Sequence, residues 1–275
     1  MSKQDPSPTP FAEVNVVLDV LLPEVKTILG EQFIGMYLYG SLAYGGFDRD
    51  SDVDFAVVTR EELPEVLFSG LAVMHARIAT LDSWCATQLE GTYIPRQALQ
   101  TYDPVRALHL HIDRGPGEHL HRMQLEDTRL SRAWWGGWVL LRAVVRENGI
   151  PLAGPAPTTL IDPVSPDELK QANLAVLDGW AGSLLEHPAE LASRGYQSYT
   201  VLTLCRTLYT LEHGAIVSKQ VAASWAQEML GEPWMSLIER AWDGRHHPDA
   251  EASPEDVNGT LEFIRFTLEH RQTLR

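Results

Sequence analysis

Two short apolar runs, joined by a polar, glycine-containing connection, constrain the fold of this chain more than any other feature. The first run, residues 33–39, leads into Gly40-Ser41, and the second opens with Ser51-Asp52-Val53-Asp54. Apolar runs of this length between turn residues are typical of buried strands. Because side chains alternate along a strand, Asp52 and Asp54 are predicted to point to the same face.

The two aspartates and the Gly-Ser pair together indicate a site for a phosphate that carries a metal ion. Like charges one strand period apart repel each other unless a cation lies between them. Oxygen ligands on a rigid strand suit Mg²⁺, which keeps its remaining positions for water and substrate phosphates. Gly40 and Ser41 offer backbone N–H groups and one hydroxyl to a phosphate. A plain turn followed by a solvated strand end is the alternative, and the two flanking strands favour the phosphate site.

Residues 87–94 are predicted to form a third strand, which Pro95 ends. Glu90 is the only acid in this segment. A single glutamate in the middle of a strand is usually the exposed residue of an alternating edge. If this strand instead lies beside the Asp-x-Asp strand, Glu90 completes a cluster of three carboxylates. The spacing of the residues leaves both possibilities open.

The composition excludes several classes of protein. The chain has 275 residues and a formal net charge of −15, and without a Lys/Arg run it is not expected to bind nucleic acid. No apolar run approaches the length of a membrane span. Residues 1–10 lack the apolar core of a signal peptide and are predicted to be a disordered leader of a cytoplasmic protein. Cys85 and Cys205 lie in apolar contexts, which predicts reduced, buried thiols.

The remaining periodicity predicts an α+β chain of two domains. Helices are predicted over residues 11–29, with a kink or a break at Pro23, and over 63–81 and 132–148. Residues 151–157 hold three prolines and one glycine, which predicts a linker. We therefore expect a first domain with a mixed β-sheet and flanking helices over 11–155. An all-α helical bundle follows over 156–275, with helix caps at Ser165 and Ser253.

Four histidines, His109, His111, His119 and His121, lie in a loop-rich region. His-x-His repeats invite a zinc interpretation, but no cysteine accompanies them. Packing, or lining of a substrate cleft, is the favoured interpretation, and their role stays open.

Two cations in the helical half occupy unusual positions. Arg206 lies at the edge of the apolar stripe of a helix over residues 199–213. Lys219 follows Ser218, a predicted N-cap, so its charge opposes the dipole of the next helix. Such a lysine would be useful if an anion also binds at that helix end.

Several motifs now form a pattern. Leu38-Tyr39-Gly40-Ser41, Ser51-Asp52-Val53-Asp54, Leu89-Glu90-Gly91-Thr92 and the segments around Arg206 and Lys219 occur in that order. Over most of residues 11–270 the chain resembles the aminoglycoside nucleotidyltransferases of the streptomycin/spectinomycin adenylyltransferase group. That group belongs to the polymerase-beta-type nucleotidyltransferase superfamily.

The resemblance implies a reaction and a set of site residues. The reaction is transfer of AMP from ATP to a hydroxyl of a small, antibiotic-like molecule, with two Mg²⁺ ions. Asp52, Asp54 and Glu90 would hold the metal, and Glu90 would also act as general base. The residues assigned to the nucleotide are Gly40, Ser41, Ser51, Arg206 and Lys219.

The chain departs from the family where the acceptor binds. Acids that grip the cationic antibiotic are replaced, by alignment, by Trp135, Gly137 and Tyr196. Burying ammonium groups without partners is costly. Candidates to compensate are Asp178, Glu186 and Glu190. The acceptor, the nucleotide preference and the oligomeric state stay open, and a monomer is expected.

Two alternative functions are compatible with the same fold. The acceptor could be a protein side chain or a tRNA end, although the acidic charge disfavours tRNA. The chain could also be a non-catalytic, antitoxin-like binding protein. The presence of all three acids favours an enzyme.

Overall fold

A six-stranded mixed sheet organises the first half of the chain. The computed structural model describes residues 7–101, 109–115, 120–123 and 130–270, with the backbone alone for 130–136. The strands are β1 (Phe33–Leu38), β2 (Val53–Thr59), β3 (Leu89–Pro95), β4 (His109–Ile112), β5 (Leu120–Met123) and β6 (Ile150–Ala153). They lie in the order β5-β4-β3-β2-β1-β6. The β2–β3 pair is parallel, and the other pairs are antiparallel.

One face of this sheet forms the hydrophobic core of the first half. Phe55 on β2 and Tyr93 on β3 point to this face, where they join buried residues of α1 (Ala12–Leu29) and α3 (Glu65–Ile78). The alternate residues of the same strands, which include Asp54 and Glu90, therefore lie on the opposite face. The other helices of this half are α2 (Ser41–Tyr44), α4 (Arg96–Gln100) and α5 (Leu130–Asn148).

The structure excludes a break of the first helix at Pro23 and a linker that begins at Pro151, whereas the kink at Pro23 stays a prediction. α1 is one 18-residue helix with Pro23 inside it, because the buried Leu21 and Val25 on either side keep its apolar face against the core. The predicted linker begins as strand β6, in which Pro151 lies opposite Tyr37 of β1. Pro151 is tolerated because β6 is an edge strand, where a missing N–H costs no ladder bond. The Tyr37 hydroxyl also donates to the Pro155 carbonyl at 2.7 Å.

The chain divides into two compact units. The first comprises Met1–Leu125 and Arg142–Pro163, and the second comprises Glu126–Leu141 and Val164–Arg275. The boundary that the sequence predicts after residue 155 stays a prediction. Residues 1–6 of the predicted leader lie outside the described residues. Further along it, the Thr9 hydroxyl donates to the Asn15 side chain at 2.8 Å.

The predicted helical bundle of the second unit is confirmed. Besides the part of α5 up to Leu141, its helices are α6 (Pro166–Val176), α7 (Gly182–Glu186), α8 (Arg194–His213), α9 (Lys219–Leu230), α10 (Trp234–Gly244) and α11 (Pro254–His270). Ser165 forms the predicted capping box with Glu168, and Ser253 accepts from the N–H of Asp256. The buried Asp256 carboxylate in turn accepts from Arg194 at 3.2 Å and Arg240 at 2.6 Å, which joins α8, α10 and α11.

Cys85 and Cys205 are buried free thiols, as predicted. Burial raises the pKa of Cys85 to about 11. None of the helices in the described ranges is long and apolar enough to cross a membrane.

His75 of α3 is a titratable group in the core of the first unit. The residue is 3% exposed, and its Nε2 lies 2.7 Å from the Tyr93 hydroxyl oxygen. Its Nδ1 has no hydrogen-bond partner among the described residues. Burial lowers the pKa of His75 to about 3, so the folded protein holds this imidazole neutral.

This histidine is expected to make the protein less stable in acid. The unfolded chain takes up a proton near pH 6.5, whereas the folded protein resists it until about pH 3. The stability is therefore complete above about pH 6.5 and is lost as the pH falls. His75 alone is expected to lower the free energy of unfolding by about 1.4 kcal/mol per pH unit below that value.

Urea unfolding between pH 7 and pH 5 measures this slope. His75→Gln keeps a polar partner for Tyr93 but cannot titrate. The pH dependence of its free energy of unfolding is therefore expected to be shallower, by the equivalent of about one bound proton. Equal slopes in the two proteins would contradict the assignment.

Candidate active site

The three predicted carboxylates lie at one end of the β2–β3 pair. The two strands are parallel neighbours, and their register places Asp54 directly beside Glu90. Asp52 lies immediately before β2. The adjacency that the spacing left open is therefore observed, and side chains in such register share one face about 4.8 Å apart. All three residues are half-buried.

The charges of this cluster affect the pKa of the neighbouring Tyr39. Burial, followed by the charges of Asp54, Glu90 and Asp52 in that order, raises the pKa of the Tyr39 phenol well above its usual value. All three carboxylates thus lie close enough to one hydroxyl to disfavour its ionisation. The Tyr39 N–H also donates to the Asp54 carbonyl at 3.1 Å.

Gly40 allows the chain to turn closely past Asp54. Its φ of 62° lies in the region that favours glycine, and an added Cβ would overlap the Asp54 carboxylate. Ser41, the next residue, begins α2. Its Oγ is buried and has no hydrogen-bond partner among the described residues. A buried hydroxyl without a partner is costly, and a phosphate oxygen would satisfy it.

Ser51, the other serine assigned to the nucleotide, has its hydroxyl occupied. Its Oγ donates to the Asp48 carboxylate at 2.9 Å and accepts from the Asp48 N–H at 3.1 Å. These bonds close the turn that leads into β2. To contact a phosphate, Ser51 would have to give up one of them, so its assignment stays a prediction.

Two residues after β4 extend the site and were missed in the sequence. Arg114 Nη1 lies 2.6 Å from Asp52 Oδ1 and supplies one positive charge to the carboxylate cluster. If the β3–β4 register continues by one residue, Asp113 lies opposite Glu90. The Asp113 carboxylate lies 3.4 Å from His111 Nε2 and 3.5 Å from His121 Nδ1. These contacts depend on strand pairing, so no local sequence motif predicts them.

Three of the four histidines lie in the described strands β4 and β5. His109 and His111 of β4 pair with Met123 and His121 of β5, and burial lowers the pKa of His111. His119 lies outside the described residues, and the zinc alternative stays a hypothesis.

The predicted phosphate ligands of the second unit lie on α8 and α9. Arg206 is a half-buried residue of α8, and Lys219 is the first residue of α9. Ser218 caps α9 as predicted, since its side chain accepts from the Val221 N–H at 3.2 Å. The Nζ of Lys219 lies 5.6 Å from the ring centroid of Tyr199.

Only some of the residues that stand in place of the family's acceptor-binding acids are described by the structure. The Trp135 side chain lies outside the described part, Gly137 is on α5, and Tyr196 is in the first turn of α8. The three acids suggested as substitutes, Asp178, Glu186 and Glu190, are exposed residues of the second unit.

The donor set of the first unit has the ligand chemistry that a magnesium ion prefers. Asp52, Asp54 and Glu90 offer only carboxylate oxygens, the hard ligands that Mg²⁺ prefers. The unpartnered hydroxyl of Ser41 lies next to Gly40, whose backbone passes the Asp54 carboxylate. A metal ion that carries a phosphate would neutralise the carboxylates and also supply an acceptor for that hydroxyl.

Comparisons with known proteins agree with this geometry. A nucleotidyltransferase domain profile matches residues 19–107, and the profile of the aminoglycoside adenylyltransferase C-terminal domain matches residues 159–270. A spectinomycin 9-adenylyltransferase of Staphylococcus aureus is 30% identical over 227 residues, which cover 80% of each chain. The chain belongs to the aminoglycoside adenylyltransferase family. It is therefore a nucleotidyltransferase.

Other members of the aminoglycoside adenylyltransferase family match over almost the whole chain. A spectinomycin 9-adenylyltransferase of Campylobacter jejuni is 26% identical and covers 94% of this chain and 95% of its own. An aminoglycoside (3'')(9) adenylyltransferase of Escherichia coli is 25% identical, with coverage of 93% and 94%. A spectinomycin adenyltransferase from Enterococcus faecialis, crystallised with ATP and spectinomycin, shares the fold. Its TM-score is 0.68 at 18% identity, over 92% of this chain and 98% of that one.

Gly40→Ala is expected to disable the site, because the new methyl group would displace the Asp54 carboxylate. Gly30→Ala is the matched control. Its φ of 50° and ψ of −122° resemble the 62° and −141° of Gly40, but nothing lies within 4 Å of an added Cβ. Both variants are expected to lose about 1–3 kcal/mol of stability through backbone strain.

Only Gly40→Ala is expected to weaken binding of Mg²⁺-ATP, by about tenfold or more, which corresponds to about 1.4 kcal/mol. Isothermal titration calorimetry on both variants measures this. If both lost affinity equally, backbone strain would be the cause and Asp54 would not be involved.

Proposed function

We propose that this protein is a Mg²⁺-dependent adenylyltransferase that transfers AMP from ATP to a hydroxyl group of a small, aminoglycoside-like antibiotic. The observation that carries the proposal is the parallel β2–β3 register, which sets Asp54 beside Glu90. Relatives named for the adenylylation of spectinomycin and aminoglycosides support it. We further propose that the enzyme works as a monomer in the cytoplasm.

Asp52, Asp54 and Glu90 would hold the Mg²⁺, which supplies positive charge against the triphosphate when bound. The Ser41 hydroxyl donates a hydrogen bond to a phosphate oxygen, and its present lack of a partner supports this role. Arg206 and Lys219 contribute positive charge to the leaving pyrophosphate.

Glu90 acts as the general base of the transfer. The acceptor oxygen forms a bond to the α-phosphorus of ATP, and the bond from that phosphorus to the pyrophosphate oxygen breaks. The proton of the acceptor hydroxyl passes to a carboxylate oxygen of Glu90.

A cationic acceptor needs carboxylates, and Asp113 is the best-placed candidate in the first unit. Its side chain is 57% exposed, and its position after β4 places it next to Glu90 on the same sheet face if the register continues. Asp113 could pair with an acceptor ammonium while Glu90 takes the proton of a nearby hydroxyl. This would compensate for the absent family acids at Gly137 and Tyr196.

A labelling assay tests the proposed reaction. The protein is incubated with Mg²⁺, ATP labelled at the α-phosphate, and spectinomycin, streptomycin or other aminoglycosides in turn. Labelled antibiotic and free pyrophosphate are expected for at least one of these acceptors. Label on the protein itself, or no turnover with any acceptor, would contradict the proposal.

Two charge-neutralising variants are expected to separate chemistry from binding. Glu90→Gln cannot accept the proton, so kcat is expected to fall about 10²- to 10⁴-fold while ATP binding stays near normal. Asp54→Asn is expected to lose the metal-dependent part of ATP binding. Glu31→Gln is the control, because the exposed Glu31 precedes β1 at the other end of that strand from Gly40.

Calorimetry with and without Mg²⁺, combined with steady-state kinetics, distinguishes these effects. Wild-type turnover in Glu90→Gln would remove Glu90 from the mechanism.

A further inference from the structure

Three aromatic side chains of the second unit form a cluster beside Lys219. The cluster, called the aromatic brace here, consists of Trp180, Tyr196 and Tyr199. The Tyr196 and Tyr199 rings are stacked, with centroids 5.9 Å apart and planes 16° apart. Trp180 meets Tyr199 edge-on at 6.0 Å, and its Nε1–H donates to the Tyr196 hydroxyl at 3.1 Å. Lys219 Nζ lies 5.6 Å from the Tyr199 centroid.

The brace and the lysine beside it come from three separate segments. Tyr196 and Tyr199 are neighbours on α8, because residues three apart share a helix face. Trp180 comes from Leu177–Ala181, a π-helical turn between α6 and α7. Such turns change the direction of the side chains that follow them and are frequent at functional sites. Lys219 comes from the first turn of α9.

The contact with Tyr199 offsets an unfavourable electrostatic position of Lys219. An ammonium in the first turn of a helix is disfavoured by the helix dipole. The negative face of an aromatic ring attracts the same ammonium and can hold it there. Tyr199 is 47% exposed, so its ring contributes less to the core than a buried tyrosine does.

The brace also relates Lys219 to the second cation of this unit. Tyr199 and Arg206 are seven residues apart on α8, which is close to two helical turns. They therefore share one face of the helix, about 10 Å apart along its axis. The ammonium held at Tyr199 thus lies on the side of α8 that also carries Arg206.

We propose that the aromatic brace sets the position of the Lys219 ammonium, which makes Tyr199 a positioning residue for the nucleotide. This inference rests on the proposed function, because it requires Lys219 to contact the phosphates of ATP. Trp180 and Tyr196 act through Tyr199 by fixing the plane of its ring.

Nuclear magnetic resonance tests the contact independently of activity. A ring current shifts protons above an aromatic face upfield, so the ε-methylene signal of Lys219 is expected upfield of ordinary lysine positions. The signal is identified by its loss in Lys219→Met. Tyr199→Leu is expected to return it to the ordinary position, whereas Tyr199→Phe keeps the ring and keeps the shift. An unshifted signal in the wild type, or no change in Tyr199→Leu, would overturn the brace.

Binding of Mg²⁺-ATP to the full chain, measured by calorimetry, tests the consequence. Tyr199→Leu is expected to weaken binding about three- to tenfold, and Tyr199→Phe is expected to recover most of that loss. Tyr209→Leu is the matched control. Tyr209 also lies on α8, but it packs against His213 and Trp225, with centroids 4.4 Å and 5.4 Å away.

The double variant Tyr199→Leu/Lys219→Met decides whether Tyr199 acts through the lysine. It is expected to bind ATP no more weakly than Lys219→Met alone, and an additive loss would overturn the inference. Wild-type affinity in Lys219→Met would also overturn it, because the lysine would then not contact the nucleotide. Failure of the proposed function gives a different result, since the wild-type protein itself would then not bind Mg²⁺-ATP.

Discussion

Repulsion between neighbouring carboxylates is the constraint on which the site depends. The parallel pairing of β2 and β3 holds Asp54 and Glu90 side by side, with Asp52 one strand period away. Charges this close disfavour one another unless cations compensate them. Arg114 supplies one positive charge at 2.6 Å from Asp52, and divalent metal would supply the rest. The proposed ligand, Mg²⁺-ATP, would bring that metal to the three carboxylates.

The hydrophobic face of the sheet keeps this arrangement in place. Phe55 and Tyr93 are fully buried on the side opposite Asp54 and Glu90. A slip of one residue in either strand would move an acid into the core and an aromatic ring out of it. Gly91 helps to fix the register, because a Cβ there would collide with the Phe55 ring. The geometry of the polar face is therefore specified by packing on the apolar one.

Local sequence patterns predicted what depends on local chemistry. The Asp-x-Asp strand, the Ser165 and Ser218 caps and the helical second half are confirmed for this reason. The residues alone leave the position of Glu90 open, because strand adjacency is a long-range property. The resemblance to a family favours its place beside Asp54, and the β2–β3 register shows it. Arg114 pairs with a residue 62 positions away, and no local motif could indicate that. Pro151 lies in strand β6 rather than in the predicted linker, because an edge strand tolerates a proline that a central strand does not.

Anomalous X-ray diffraction from crystals grown with ATP and Mn²⁺ in place of Mg²⁺ tests the central claim most directly. Mn²⁺ takes similar oxygen ligands, and its anomalous signal locates it without reference to the light atoms. The account predicts peaks within coordination distance of Asp52, Asp54 and Glu90. Peaks held by other residues, or a Glu90 carboxylate directed away from the aspartates, would contradict it.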